Sequence, residues 1–441
     1  MIVSSFIVII SIGTLFLRLP WATRGEHLNL VDALFTSVSA TCVTGLTVVD
    51  IGTKFTLFGQ TVVLGLIQLG GLGIMTFSTF FLYLLGKRVS IRGREIVDMT
   101  LTHTPVQHIG SLLLKIIVIV LFIEGIGFLL LTIRWVNIYP LPKAIYYGLF
   151  HAVSAFCNAG FSLYYNNFMD FSADILVNCV LIGLIVLGGF GFVVLLDFKN
   201  LFHWSKEFPR SFSFHSKIVL LMTFFLILFG TLFIYGIERI HTLYGFKPVH
   251  SLLIALFQSV TARTAGFNTI DIGSLTNAAC FVIMFLMFVG AAPGSCGGGV
   301  KVSTLGILIA MFLSRLRGHD EPNLFYRSIP KETTGKALII VLSAVLLISI
   351  IFCGLLITES WSLPPRESRG YFIGLLFETI SAFGTVGLSM GFTSQLTTGG
   401  RLLVIVMMLV GCLGPLTMAV ALTRRKKGGY FNYAKGEIMV G

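Results

Sequence analysis

Phe35-Thr-Ser-Val-Ser-Ala-Thr-Cys-Val-Thr-Gly45 returns later in the chain as Phe150-His-Ala-Val-Ser-Ala-Phe-Cys-Asn-Ala-Gly160 and as Phe377-Glu-Thr-Ile-Ser-Ala-Phe-Gly-Thr-Val-Gly387. A fourth version, Phe257-Gln-Ser-Val-Thr-Ala-Arg-Thr-Ala-Gly266, is one residue shorter between its Phe and its Gly. Every copy keeps a Ser/Thr-Ala step ahead of the glycine, and successive glycines lie 115, 106 and 121 residues apart. Such self-similarity marks a repeated structural unit. The apolar lead-ins Asp32–Cys42, Lys143–Cys157, Val249–Ala262 and Tyr371–Phe383 have 11 to 15 residues. As helices they reach only about 16–22 Å, short of a hydrocarbon core roughly 30 Å thick. Four short helices therefore enter a membrane partway and end in a glycine loop.

Longer apolar runs flank these pieces, at 2–19, 57–86, 112–134, 174–198, 216–239, 277–314, 337–358 and 400–423. Of the 441 residues 55% are hydrophobic and 11% charged, with a mean hydropathy of +0.92. A soluble domain carries about 25% charged residues, so a soluble enzyme, a nucleic-acid binder and a disordered chain are excluded. The fold expected is an all-α polytopic membrane protein built from four tandem units around a pseudo-fourfold pore. Their bounds are 1–86, 111–198, 215–314 (with a broken second helix) and 336–423, followed by a basic tail, 424–441.

The formal net charge is +12. Nineteen of the 31 basic residues fall in four regions, around Lys87–Lys115, Lys199–Lys217, Arg315–Lys336 and Arg424–Lys435, which hold eight carboxylates and net +11. The rest of the chain is close to balanced. This asymmetry is the positive-inside signature; it places these regions and both termini in the cytoplasm and argues against a nucleic-acid partner. The seven cysteines form no CxxC pair and read as small buried hydrophobes. Ile2–Leu17 lacks a basic leader and a cleavage site, so it is read as a first transmembrane helix, with native sequence possible ahead of it.

Irregular backbone at membrane depth is tolerated only where it is buried in protein or lines a wet cavity. Four equivalent loops around one axis present rings of carbonyl oxygens, which replace the hydration shell of a cation. Glycine supplies backbone angles closed to other residues and leaves the axis clear. The negative C-terminal ends of the inward-running helices add to the preference for a cation. In the sixth span, Gly290-Ala-Ala-Pro-Gly-Ser-Cys-Gly-Gly-Gly-Val-Lys301 cannot stay helical, at about 1 kcal/mol per Gly and 3 per Pro. Two half-helices joined by an intramembrane loop are expected, with the loop below the filter and able to obstruct the pore. No Gly-x4-Gly-Lys-Ser/Thr occurs, so it is not a phosphate loop.

These four segments, with Thr44-Gly45-Leu46, Asn158-Ala159-Gly160-Phe161, Arg263-Thr264-Ala265-Gly266-Phe267-Asn268 and Gly384-Thr385-Val386-Gly387-Leu388, resemble the Ktr/Trk/HKT potassium transporters. Gln68-Leu-Gly-Gly-Leu-Gly73 and Gly411-Cys-Leu-Gly-Pro-Leu-Thr417 match as well. The resemblance spans nearly the whole chain and is nearest to the bacterial Ktr membrane subunit. It implies four potassium-channel-like M1–P–M2 units, with a filter of Val43, Thr44, Gly45, Asn158, Ala159, Gly160, Thr264, Ala265, Gly266, Thr385, Val386 and Gly387 binding potassium through backbone carbonyls. A glycine in all four filter positions goes with potassium preference in that family. The segment Gly290, Ala291, Ala292, Pro293, Gly294, Ser295, Cys296, Gly297, Gly298, Gly299 and Lys301 resembles the family's gating loop. The resemblance further implies a membrane homodimer, a cytoplasmic nucleotide-binding (ATP/ADP) RCK-like regulatory ring, and stimulation by sodium. No cofactor is expected in this chain.

Single residues carry further expectations. Lys301 either raises the barrier to a cation in the closed state or snorkels to the cytoplasmic surface. Arg263 is expected behind the filter, bonded to loop carbonyls or to a carboxylate such as Glu378. Thr36, His151, Gln258 and Glu378 occupy equivalent positions and are expected to tie each short helix to its neighbour. Cys412 stands where relatives commonly carry arginine, and Cys296 where they often carry a small hydroxyl residue. Asp32 is open to two roles, helix cap or attractor of cations at the mouth. A sodium- or proton-coupled symporter is the alternative; it needs ionisable groups in mid-membrane, where Glu124 stands nearly alone beside Lys301. The chain has no H-E-x-x-H, no paired intramembrane aspartates and no G-x-S-G with a partnered His, which counts against an enzyme.

Overall fold

The computed structural model describes residues 2–73, 109–202, 212–319, 321–361 and 364–414. The basic groups Lys87–Arg94, Lys206 and Arg210, the span portions 74–86 and 415–423, and the tail 424–441 lie outside these residues. The described chain is helical apart from one hairpin of two-residue strands, Asn323–Leu324 paired antiparallel with Arg327–Ser328.

The helices of more than ten residues are α1 (Ile2–Leu17), α2 (Leu30–Thr41), α3 (Leu57–Gly71), α4 (Ile109–Trp135), α5 (Leu141–Phe156), α6 (Ile175–Gly189) and α7 (Phe192–Phe202). They continue with α8 (Phe214–Glu238), α9 (Pro248–Thr261), α10 (Asn277–Phe288), α11 (Val302–Leu316), α12 (Lys331–Ser360), α13 (Pro365–Gly384) and α14 (Thr398–Leu413). Among the described residues α4, α8 and α12 are each long and apolar enough to cross a bilayer alone, and they sit outermost. Leu121, Phe122, Phe225, Leu232, Leu342 and Ile350 on them are more than half exposed. Such a surface suits hydrocarbon and not water.

The short helices α2, α5, α9 and α13 pack inside and end in the four loops. Three of them match the sequence expectation within a few residues. The fourth, α13, begins six residues early, because Pro365 opens its first turn and the polar Arg366–Gly370 run extends it beyond the apolar stretch. Serines on the pore helices bind the outer helices. Ser37 Oγ donates to Ile10 O, and Ser259 Oγ donates to Ile227 O, both at 2.8 Å. Gly13 and Gly230 lie one turn further on and let the serines approach. Away from water, such bonds are a main source of helix association.

The helices that follow each loop begin alike. Thr56, Asp174, Thr276 and Thr397 N-cap α3, α6, α10 and α14 by accepting from the backbone N–H three residues on. Each cap is also held by the end of its outer helix or the turn after it. Thr56 Oγ1 donates to Trp21 O at 2.5 Å, and Arg134 pairs with Asp174 at 2.7 Å. Glu238 accepts from both N and Oγ1 of Thr276, at 3.0 and 2.6 Å. Glu359 does the same for Thr397 at the same two distances. Three kinds of residue pair, with the Glu–Thr pair used twice, thus make one staple.

The sequence predicts 174–198 as one continuous span, and here the structure corrects it. The helix stops at Gly189, Gly191 turns with φ +81°, and α7 leaves at 107° to α6. The freed groups are satisfied by the intramembrane loop: Ala292 N donates to Gly189 O, and Phe192 N donates to Gly294 O, both at 3.0 Å. Gly73 and Gly414, with φ of +77° and +80°, end α3 and α14 in the same way. The expected break in 277–314 is present, between α10 and α11.

Glycines also set how closely these helices approach the pore helices. A Cβ at Gly70, Gly188 or Gly411 would overlap the carbonyl oxygen of Thr41, Phe156 or Phe383, each four residues before its loop glycine. Gly183, on the same helix as Gly188, has open space. Gly188→Ala is therefore expected to lower stability by about 1–3 kcal/mol through overpacking. Gly183→Ala should leave it unchanged or raise it by up to about 1 kcal/mol through helix propensity. Thermal unfolding of the two variants in detergent checks the contrast.

Candidate functional site

Each pore helix ends in a residue forced into left-handed backbone, followed two positions later by the glycine. Val43, Asn158, Thr264 and Thr385 have φ of +55°, +59°, +73° and +48°; Gly45, Gly160, Gly266 and Gly387 have +89°, +69°, +80° and +92°. Left-handed geometry costs a non-glycine residue about 1–2 kcal/mol, and four equivalent cases show that the surroundings impose it. The four loops then meet in order. A Cβ on Gly45 would strike Ala159 O, one on Gly160 Ala265 O, one on Gly266 Val386 O, and one on Gly387 Thr44 O. The chain closes a ring of four carbonyl oxygens in which any side chain larger than hydrogen collides.

The shared Ser/Thr-Ala step supports this ring. Ser39 Oγ accepts from Gly45 N at 3.1 Å and donates to Leu46 O at 2.8 Å. Ser154 Oγ donates to Phe161 O at 2.8 Å, and Ser381 Oγ accepts from Gly387 N at 3.1 Å. The serine carbonyls also accept from Thr44 N, Ala159 N and Val386 N. In the shorter third loop the Thr261 carbonyl takes both Ala265 N and Gly266 N, at 2.9 and 3.3 Å. One residue type at one place thus caps a helix and holds the loop that leaves it.

The polar set one turn earlier binds differently from the expectation. His151 Nδ1 donates to Tyr147 O (2.8 Å) and Nε2 accepts from Leu163 N (3.2 Å), beside Ser162 Oγ. Gln258 Nε2 donates to Thr269 Oγ1 at 3.3 Å. Glu378 accepts from Ser389 Oγ (2.6 Å), Met390 N (3.1 Å) and Thr393 Oγ1 (2.5 Å). These side chains hold the segment rising from their own loop, eleven or more residues ahead, and not the neighbouring pore helix. Thr36 only donates to Asp32 O.

Arg263 is turned behind the ring as expected, but its partners are Thr223 O and Thr223 Oγ1 on α8, at 3.4 and 3.3 Å, and not Glu378. Asp32 makes no side-chain cap; it pairs with Arg401 at 2.5 Å and joins the first unit to the last. Glu124 lies outside the ring, where Gln68 Nε2 donates to both of its oxygens at 3.2 and 3.3 Å.

On one side the ring opens into a vestibule of about 600 Å³ lined by all four loop glycines. Asp50 and Asp271 line it from opposite loops, each five residues past its glycine. They accept from Thr53 and Gly273 amides and leave carboxylate charge facing the cavity, which attracts cations. Tyr164, also in the lining, stacks on His151 at 5.1 Å, and burial raises its phenol pKa so that it stays neutral. Neither aspartate was singled out from the sequence, although their equal offset from the glycines is legible there.

On the other side sits the loop between α10 and α11. Its neck is tied by Gly290 N to Val300 O (2.9 Å) and Val302 N to Ala291 O (3.2 Å), and Ser295 Oγ donates to Ala292 O. Gly297, Gly298 and Gly299 press against the four-loop assembly: a Cβ on Gly297 would overlap Thr264 Oγ1, and one on Gly298 would overlap Thr385 Oγ1. Lys301 Nζ turns back and donates to Gly297 O at 2.5 Å, so the side chain closes on its own loop and does not extend away. Cys412 sits against Cys42 and near Lys301, and Cys296 against Cys157.

A helical membrane protein with a carbonyl ring between an acidic vestibule and an intramembrane loop belongs to the class that moves cations. The chain belongs to the family of the TrkH cation transport proteins, whose model matches residues 1–432. It is 39% identical over 438 residues to the Ktr system potassium uptake protein B of Bacillus subtilis (strain 168), covering 99% of this chain and 95% of the relative. The protein of the same description from Vibrio alginolyticus is 39% identical over 427 residues, covering 96% of this chain and 90% of the relative. The potassium/sodium uptake protein NtpJ of Enterococcus hirae is 33% identical over 445 residues. The potassium transporter TrkH from Vibrio parahaemolyticus shares the fold, with a TM-score of 0.74 at 19% identity over 95% of this chain and 83% of that one.

Glu378 bears the densest polar cluster at the site. Glu378→Ala leaves three buried or half-buried donors without their acceptor and should cost about 3–5 kcal/mol; Glu378→Gln, which keeps an oxygen in place, should cost less. Thermal unfolding, with limited proteolysis of residues 388–397, measures both.

Proposed function

We propose that this chain is the ion-translocating membrane subunit of a Ktr-type potassium uptake system, passing dehydrated potassium through a gated, channel-like pore without covalent chemistry. The observation that carries the reading is the closed ring of Thr44, Ala159, Ala265 and Val386 carbonyls, with a glycine opposite each. Val43 to Gly45, Asn158 to Gly160, Thr264 to Gly266 and Thr385 to Gly387 form the selectivity filter. Arg263 and Glu378 support it from behind, the first through α8 and the second through the rising segment. The segment from Gly290 to Lys301 is the gate: it lies against the filter threonines on the side away from the vestibule, and its lysine adds positive charge there.

The four repeats take the bounds 1–86, 111–198, 215–314 and 336–423. Both termini are cytoplasmic, as the basic clusters imply, and the vestibule with Asp50 and Asp271 faces outward. Two chains pair in the membrane. The basic loops and the 424–441 tail dock a cytoplasmic RCK-like ring that binds ATP or ADP and regulates the gate, and sodium stimulates uptake. The relatives named as potassium uptake proteins support these assignments over a coupled symporter. So does Glu124, which is held by Gln68 and lies off the ring.

Liposomes loaded with potassium and containing the purified chain test the reading through entry of rubidium-86. Potassium outside should block uptake and sodium should compete weakly; equal competition would sink the potassium-selective filter. Gly266→Ser, placing a side chain on φ +80° backbone against Val386 O, should cut uptake at least about tenfold or erase the ion preference. Deleting Gly297 to Gly299 should raise the flux measured without a regulatory partner.

A further inference from the structure

The loop glycines line the vestibule, but Val43, Asn158, Thr264 and Thr385, two residues earlier, do not. Their side chains lie on the far side of the ring. The Asn158 amide, turned so that both ends are satisfied, donates from Nδ2 to Ala155 O (3.0 Å) and Ile185 O (3.2 Å). Its Oδ1 accepts from Thr264 Oγ1 at 3.2 Å. Thr385 Oγ1 accepts from the Gly298 backbone N–H at 2.8 Å, with both residues buried. Three side-chain oxygens from successive loops therefore collect beneath the ring, and the intramembrane loop seats on two of them, Thr264 and Thr385. Val43 breaks the set, with a methyl group turned toward Gly70.

We infer that the Thr385 hydroxyl serves two partners in turn: the Gly298 amide while the loop is seated, and a dehydrated monovalent cation at the inner end of the filter when the loop withdraws. The inference rests on reading the four loops as a filter. A hydroxyl oxygen has two lone pairs, so counting acceptors alone would allow both partners together. Charge and space forbid it. The seated loop points the positive end of an N–H dipole at the oxygen, fills the space before it with Gly298 backbone, and carries the Lys301 ammonium on Gly297 O. A cation brought to the same rim meets repulsion from both positive groups and finds one of its oxygen ligands taken. Ion occupancy of the inner site and seating of the loop thus exclude each other, and the transported ion itself works against closure.

The wild-type chain in liposomes provides the first test. Cys296, half-buried on the same loop, reports its withdrawal through labelling by a membrane-permeant methanethiosulfonate, followed by mass spectrometry. Potassium should speed labelling several-fold over choline at equal ionic strength. Thr385→Val keeps the shape and loses the acceptor. It should label roughly tenfold faster than wild type in choline, lose the potassium dependence and leak rubidium, in line with one buried hydrogen bond. Thr385→Ser should restore wild-type behaviour. Equal labelling in potassium and choline, or Thr385→Val labelling as slowly as wild type, would overturn the latch. If Thr385→Val does not fold, the potassium dependence of the wild type decides alone. A chain that carries no rubidium even with Gly297 to Gly299 deleted would overturn the filter reading instead. Conduction by that deletion with an unaltered Thr385→Val would overturn only the latch.

Discussion

Backbone amides and carbonyls that leave a helix inside a membrane must find partners in the protein, because lipid offers none. The four loops of this chain leave their helices at that depth, and the rest of the structure follows from satisfying them. The serine or threonine two turns earlier closes the first part of each loop through its carbonyl and, in three of the four copies, through its hydroxyl. His151, Gln258 and Glu378 then take up the rising segment. The carbonyls of the middle residues are left out of this network and turn toward the ring. On the filter reading proposed above, these middle carbonyls are the groups that would replace the water of a dehydrated cation.

Close packing is the second requirement, and glycine meets it at two levels. The loop glycines carry positive φ and face a neighbouring carbonyl, so neither the angle nor the space admits a side chain. Gly70, Gly188 and Gly411 have ordinary helical backbone and are needed only for room, letting a second helix lie on the pore-helix carbonyls. The third unit breaks this pattern: Gly290 faces Gly298 O, within its own intramembrane loop. Where three units use the position to pack helix on helix, the third uses it to fold the intramembrane loop upon itself. The departure from fourfold likeness and the intramembrane loop occupy the same place.

Much of this was legible in the chain. The Phe-x-x-x-Ser/Thr-Ala pattern predicts four short helices ending in glycine loops, and α2, α5 and α9 match it within a few residues. The composition excludes a soluble fold, and the Gly-Pro-rich run in 290–299 locates the break between α10 and α11. These features are local: helix length, glycine conformation and hydropathy act within a few residues of where they are written. The sequence also holds the staple residues Thr56, Asp174, Thr276 and Thr397, but only Thr276 and Thr397 share a partner type, a glutamate 38 residues earlier, so no one pattern runs through all four.

Pairings between distant residues were decided only by the tertiary structure. Asp32 meets Arg401 across 369 positions, Arg263 finds Thr223 and not Glu378, and Gly298 finds Thr385. The 107° turn after Gly189 also waited on the fold, since a glycine pair in an apolar run permits a helix to continue. What breaks it is the arrival of the intramembrane loop, which supplies Ala292 N and Gly294 O to the freed backbone. The sequence alone determines where the backbone is able to depart from a helix, because that depends on each residue's own steric limits. Whether it departs, and toward which partner, depends on which groups the packed helices bring within hydrogen-bond reach.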